Sequence, residues 1–351
     1  MVVTNLILLR ASFFEVFGRE YDVEYTDIFK SQKAEHGVYI HQCVFNDFAS
    51  SPLFFSTNKR LYIVIESTVF HNSSSSIGGG AIYYNCGSAP IALLKICASR
   101  CYIENSGSGM FGYFISKDAN MFVLNHSSVI YCGPSFQTYQ YNSPLLLKDS
   151  APTISHYNSS SNYATHINTL EFGFIKAMVL SFCSFANNRA QNSYGIQITA
   201  SPSFTRIMEY VNIIGNIQNG GYLYSILYGS ITTMIITNSV FMDNSDLLVG
   251  GNGCNYKLFD CWVNHINTIS TTNYANFTFH VKVFYTSTHT LQISKTVFCD
   301  NGEIVVNQIA CQTIPQAPTQ CKEETSNGLV VSVFSVLEFF FNAFWIANTM
   351  F

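Results

Sequence analysis

The chain has 351 residues, 48% of them hydrophobic and only 11% charged, with a formal net charge of -4. A charged share below half of the usual ~25% leaves Ser, Thr, Asn and Gly to supply most of the polar surface, and the slight acidity excludes nucleic acid as a partner recognised through bulk charge. The 30 Phe and 21 Tyr, beside 2 Trp, favour strands over helices.

Residues 1–14 open with an apolar run, Met1 to Leu9, followed by Arg10 and lacking a basic region before it. The run reads either as a weak signal-like segment or as a first strand. Residues 15–35 hold the densest charge in the chain, and within them Tyr21, Val23 and Tyr25 alternate with Asp22 and Glu24. That alternation predicts a half-exposed strand. Residues 1–36 are therefore expected to form an N-terminal cap or a signal segment, since the open end of a stacked sheet must be blunted.

From Gly37 to Cys311 one motif recurs. Its fullest forms are Asn238-Ser239-Val240-Phe241-Met242-Asp243-Asn244, Cys183-Ser184-Phe185-Ala186-Asn187-Asn188 and Thr296-Val297-Phe298-Cys299-Asp300-Asn301, with shorter versions at Cys43 to Asp47 and Thr68 to Asn72. Phe45, Phe70, Phe185, Phe241 and Phe298 are 25, 115, 56 and 57 residues apart, near multiples of about 28, the mark of a repeat architecture. Weaker copies surround Cys101, Cys132, His156, Ile213 and Trp262. Each period reads as three strands of three to five residues, such as Leu61–Ile65, Thr68–Phe70 and Ala81–Tyr84, too short to stand unless stacked. The expected fold is all-β, a right-handed single-stranded parallel β-helix (solenoid) of about ten rungs over residues 37–311.

Roles follow from that picture. The motif Phe residues fill a shared interior. Asn188, Asn244 and Asn301 are expected to take the left-handed conformation at sharp bends and to hydrogen-bond to the neighbouring rung. Ser73-Ser74-Ser75-Ser76-Ile77-Gly78-Gly79-Gly80 and Ser159-Ser160-Ser161-Asn162 read as loops leaving the coil. Residues 312–328, with Pro315 and Pro318, read as a polar linker. Residues 329–351 hold Glu338, Asn342 and Asn348 as their strongly polar positions and are long enough to serve as a transmembrane anchor, or to close the last rung.

The chemistry-bearing residues are scattered. Of the 11 Cys, Cys43, Cys101, Cys132, Cys183, Cys261 and Cys299 fall in or beside the repeated turn, which predicts small apolar packing, with Cys97–Cys101 or Cys311–Cys321 as disulfides if the chain is secreted. No paired Cys-x-x-Cys is present and the nine His lie at no metal-ligand spacing, so no metal or cofactor is expected. Asp47, Glu104, Asp243, Asp260 and Asp300 fall one per rung beside bends, where turn chemistry explains them; glycoside cleavage needs two carboxyl groups at a set separation, and no catalytic residue is assigned. Tyr139, Tyr141 and Tyr222 are candidates for a sugar-stacking face. Sequons stand at Asn72, Asn125, Asn158 and Asn276.

Gly79-Gly80-Ala81-Ile82, with Phe185 to Asn188, Phe241 to Asn244 and Phe298 to Asn301, resembles the Gly-Gly-Ala-aliphatic and Phe-x-x-Asn repeats of the polymorphic outer membrane protein group. Similar repeats mark surface proteins of trichomonad-like protists. The resemblance covers residues 37–311 and implies a parallel β-helix at a cell surface or secreted, an adhesin-like scaffold with carbohydrate or a host or cell-surface protein as partner. It departs from the bacterial group in having one full Gly-Gly-Ala-Ile, and no stretch that would form a translocation barrel, so self-export is not expected. Pectin-cleaving enzymes share the coil, so the alternative is a carbohydrate-active enzyme of the pectin-lyase type.

Overall fold

The computed structural model describes residues 36–104, 107–116, 121–133, 143–191, 194–200, 203–218, 225–245, 247–264 and 274–283, with a few more within 17–25 and 299–304. These belong to a unit spanning Phe13–Gln312. Residues 1–14 and 312–351, with their signal, linker and anchor assignments, lie outside the described residues. Among the described residues no helix is long and apolar enough to cross a membrane.

Every strand pairing between Val23 and Val283 is parallel, and the chain coils through three sheets in turn. Gly37–His41 starts the first sheet, Val44–Asn46 the second and Leu53–Thr57 the third. The next coil repeats the path through Tyr62–Glu66, Val69–His71 and Ile82–Cys86, in register Val38↔Ile63, Phe45↔Phe70 and Phe55↔Tyr84. This is a parallel β-solenoid. Coils that open at Tyr62, Ile91, Phe122, Pro152, Met178 and Thr205 have neighbours on both sides in all three sheets. About six fully flanked coils thus replace the expected ten rungs.

At the carboxy-terminal end Cys299–Asp300 pairs antiparallel with Glu303–Ile304; Phe298 lies outside the described residues. At the other end Val23–Tyr25 pairs with Gly37–His41, and Glu24 accepts a 2.7 Å hydrogen bond from or ion-pairs with His41 Nε2.

Inside the second sheet a single column runs Phe45, Phe70, Ala98, Val129, Ser159, Phe185, Ile213, Phe241, Val263. Phe185 and Phe241 share this interior column, with Ile213 between them, and Phe45 stacks on Phe70 at 5.2 Å. The early first-sheet strands are continuous apolar runs because both faces are buried: Tyr39, Tyr62, Val64 and Ala92 form an outer cluster covered by Phe17 and Tyr21. By contrast Thr233–Thr237 alternates between buried and half-buried.

Two columns of left-handed residues make the corners. Gln42, Ser67, Lys95, His126, His156, Phe182, Tyr210, Asn238 and Asp260 lie between the first and second sheets; Asp47, Asn72, Arg100, Tyr131, Ser161, Asn187, Gly215 and Asp243 follow the second. Left-handed non-glycine residues cost on the order of 1–3 kcal/mol each, and interior hydrogen bonds offset this. After six of these nine first-corner residues the next side chain returns to the carbonyl two positions back: Cys43 to His41, Thr68 to Glu66, Ser127 to Asn125, Cys183 to Ser181, Ser239 to Thr237 and Cys261 to Phe259.

Two expectations about the second corner are corrected. Asn187 and Asp243 take the left-handed conformation, not Asn188 and Asn244, whose side chains instead turn inward as an amide ladder through Asn162, Asn188, Asn216 and Asn244. The serine stretches are loops only in part, at the exposed bend of Ser76 and Ile77. Ser159 is fully buried in the Phe column and Asn162 starts the ladder, while Ser74–Ser75 is a buried strand paired with Tyr102–Ile103. Small hydroxyl side chains fit where the coil is narrow and can hydrogen-bond to its backbone.

Candidate ligand-binding groove

Left-handed corners throw alternate side chains outward, so the second corner presents Asn72, Arg100, Tyr131 and Ser161 on successive coils. Beside it runs a strip formed by Tyr102, Gly133, Tyr163 and Arg189: the Gly133 N–H donates to Cys101 O, the Tyr163 N–H to Cys132 O and the Arg189 N–H to Asn162 O. Gly133 is the irregular member. Its φ is +96°, and a Cβ there would lie 1.9 Å from Tyr163 O, so no other residue fits. Gly133 thus lies in close contact with the Tyr163 backbone, and it lines an open groove of about 430 Å³ together with Asn72, Arg100, Tyr102, Tyr131, Ser161 and Tyr163. Tyr131 is 49% exposed at its edge.

The groove offers aromatic faces, hydroxyls, a guanidinium and an amide. Asn72 Nδ2 is held by Asp47 Oδ1 at 2.6 Å, which fixes the amide at the rim. The candidate acids do not converge on the groove. Asp47, Asp243 and Asp260 are left-handed corner residues, Asp243 also receiving Asn264, and Glu104 receives Ser74 at 2.8 Å. Among the described residues no group of three or more His, Cys, Asp or Glu could hold a metal ion.

Seven cysteines, Cys43, Cys86, Cys101, Cys132, Cys183, Cys254 and Cys261, are free and buried. Burial pushes the thiols of Cys86 and Cys183 up to about 12 and that of Cys261 up to about 11. The Cys97–Cys101 pairing is corrected: Cys101 is a free thiol, and Cys97, which is disulfide-bonded, pairs with none of the seven. Cys311 and Cys321 lie outside the described residues.

Tyr139, Tyr141 and Tyr222, the aromatic residues singled out from sequence, also lie outside the described residues. In their place the structure supplies Tyr102, Tyr131 and Tyr163, and two further outward stacks. Phe54, Tyr83 and Tyr113 stack at 4.7 and 5.1 Å on the third sheet. His126, His156, Phe182 and Tyr210 stack at 4.4, 5.2 and 5.0 Å along the first corner. Burial and the adjoining His156 lower the His126 pKa to about 4, and burial lowers that of His156 too.

A signal for the groove was present in the sequence. Alignment of Cys101 with Cys132 puts Tyr102 one coil from Gly133, but only the register shows that Tyr163 follows next. Likewise Gly109, with φ +74° and a virtual Cβ 2.4 Å from Gly112 O, repeats the role of Gly79, φ +62° and 2.2 Å from Ile82 O; Gly109-Met110-Phe111-Gly112 is the second copy of the glycine turn, while the Gly220-Gly221 pair lies outside the described residues. No protein-family model, curated protein or solved structure matches the chain, so its class rests on its own coordinates: a parallel β-solenoid repeat protein.

Proposed function

We propose that this protein is a non-catalytic, adhesin-like binding scaffold, displayed at a cell surface or secreted, of the kind its repeats resemble in the polymorphic outer membrane protein group. The observation that carries the reading is the outward rows of rings set one per coil on a rigid frame, Phe54, Tyr83 and Tyr113 on the third sheet and His126, His156, Phe182 and Tyr210 along the first corner. Rigid elements that present ring faces and polar groups without converging acid pairs are built for contact. Carboxylates that a polysaccharide-cleaving enzyme would need are instead spent on corners and rung-to-rung hydrogen bonds.

The test is localisation of a tagged full-length chain in its native cell, with external protease applied to intact cells, alongside retention of the purified chain by fixed cells. Cleavage from outside, or recovery from the medium, together with retention supports the proposal. An intracellular, protease-protected chain that cells do not retain sinks it. Release of new reducing ends from a polysaccharide by the purified chain would favour the enzyme.

A further inference from the structure

Three of the sequon asparagines, Asn72, Asn125 and Asn158, have described side chains, and the fold sets one apart. Asn125 and Asn158 sit half-buried within strands, each with a neighbour on both sides: Leu94 and Ser155 flank Asn125, and Ser128 and Ser184 flank Asn158. Asn125 Oδ1 also accepts from Ser155 Oγ at 3.0 Å. A sugar branching from either amide has to pass side chains one rung, about 4.8 Å, above and below. Asn72 instead is exposed at a left-handed corner, φ +48°. One of its two amide N–H bonds donates to Asp47 Oδ1 on the preceding coil at 2.6 Å, so the other, which diverges from it in the plane of the amide, is not taken up there. Asn72 also lines the near end of the groove, which runs on past Arg100 and Tyr131 on the next two coils. The side chain of Asn276 lies outside the described residues.

From this we infer that Asn72 carries an N-linked glycan whose first sugars lie over the groove, across Arg100 and Tyr131. The inference rests on the surface or secreted destination proposed above. In the transfer the Asn72 amide nitrogen forms a bond to the anomeric carbon of an oligosaccharide held on a polyprenyl diphosphate, the bond from that carbon to the diphosphate oxygen breaks, and one amide proton is released. It takes place before folding, because the sequon hydroxyl of Ser74 is buried in the fold and donates to Glu104 at 2.8 Å. Folding then selects among the sites. A glycosylated amide keeps one N–H, so the bond from Asn72 to Asp47 survives the modification, and the exposed corner leaves room for the bulk. Tyr131 offers a ring edge and Arg100 a guanidinium donor to the sugar hydroxyls. The groove is thereby covered by the chain's own carbohydrate, which leaves the ring rows of the third sheet and the first corner as the surfaces for a partner.

Peptide mapping by mass spectrometry of the full-length chain, taken from the surface or medium of its native cell, tests it. The Asn72 peptide is expected to carry a glycan in most molecules, and the Asn125 and Asn158 peptides to be mostly bare. Asn72→Gln and Ser74→Ala each destroy the sequon, and both should remove the mass of one glycan. Tetranitromethane then reads the groove. Nitration of Tyr131 is expected to be several-fold slower in the glycosylated chain than in either variant, while Tyr210 on the first corner, 38% exposed against 49% for Tyr131, reacts alike in all of them. A bare Asn72 in chain recovered outside the cell, or equal occupancy of Asn72 and either of the other two sites, overturns the inference and leaves the scaffold reading intact. Equal nitration of Tyr131 with and without the glycan overturns its placement over the groove. A chain found only inside the cell with Asn72 bare sinks both the glycan and the destination on which it rests.

Discussion

Asn216 Oδ1 accepts two hydrogen bonds from Asn188, one from its backbone N–H and one from its Nδ2, each at 3.0 Å. The Asn216 amide in turn donates to Phe185 O at 2.8 Å and to Asn244 Oδ1 at 3.2 Å. Each ladder residue therefore answers the backbone of one coil and the side chain of the next, in an interior where an unmet donor costs about 1–3 kcal/mol.

Replacement of Asn216 by Ala removes the acceptor of the Asn188 backbone N–H and the donor to Phe185 O, while Asn188 Nδ2 keeps its bond to Ser159 O. A loss of at least 1–3 kcal/mol is expected, read as a lower midpoint in urea. Asn244→Ala should cost less, because Asn244 is half-buried and water can substitute. A loss well below about 1 kcal/mol at Asn216 would mean that the ladder contributes little.

Phe185→Ala and Phe241→Ala remove large side chains from a column 0% and 2% exposed. Each is expected to cost roughly 3–5 kcal/mol, while Ser245→Ala at an exposed position changes the melting temperature little. Reversal of that order in thermal melts would contradict the shared interior.

Arg206 is fully buried and occupies the inward column between Met178 and Met234. Its guanidinium donates to the carbonyls of Ile175 and Phe204, no carboxylate meets it among the described residues, and burial draws its pKa down to about 10. A buried charge without a counter-ion is replaced by a hydrophobic residue of similar length at little cost or with a gain. Arg206→Met should therefore melt at the same temperature or higher; a drop comparable to that of Phe185→Ala would show that the two carbonyl contacts matter more than the desolvation.

The stacked histidines give an acid response of defined sign. The fold holds His126 neutral, with its pKa lowered from 6.5 to about 4 by burial first and by His156 next. Stability from this pair is complete above the unfolded value and is lost as pH falls from about 6.5 toward 4. Denaturant midpoints are expected to decline across that window, and His126→Phe, which continues the ring stack, should make the decline shallower. An unaltered pH profile in the variant would exclude the pair as its source.

Period and composition carried the solenoid, because a coil of fixed length must return the same side-chain types to the same place. Phe45, Phe70, Phe185 and Phe241 were legible for that reason. Register was not. Val129 and Ser159 stand in the same column, and a serine in a phenylalanine position is invisible to a pattern keyed on size. The offset between the left-handed Asn187 and the inward Asn188 escaped as well, since adjacent Asn residues satisfy either role until the backbone is seen. Tyr102, Gly133 and Tyr163 come from three separate coils, so the groove exists only through stacking.

The amide ladder also bears on how such a chain changes length. Successive members are 26, 28 and 28 residues apart, so loop size varies while the inward amide keeps its place. Excising or duplicating the stretch from one ladder asparagine to the next would remove or add a rung with every junction chemically alike, which makes whole-unit gain and loss an easy route to taller or shorter versions of this protein.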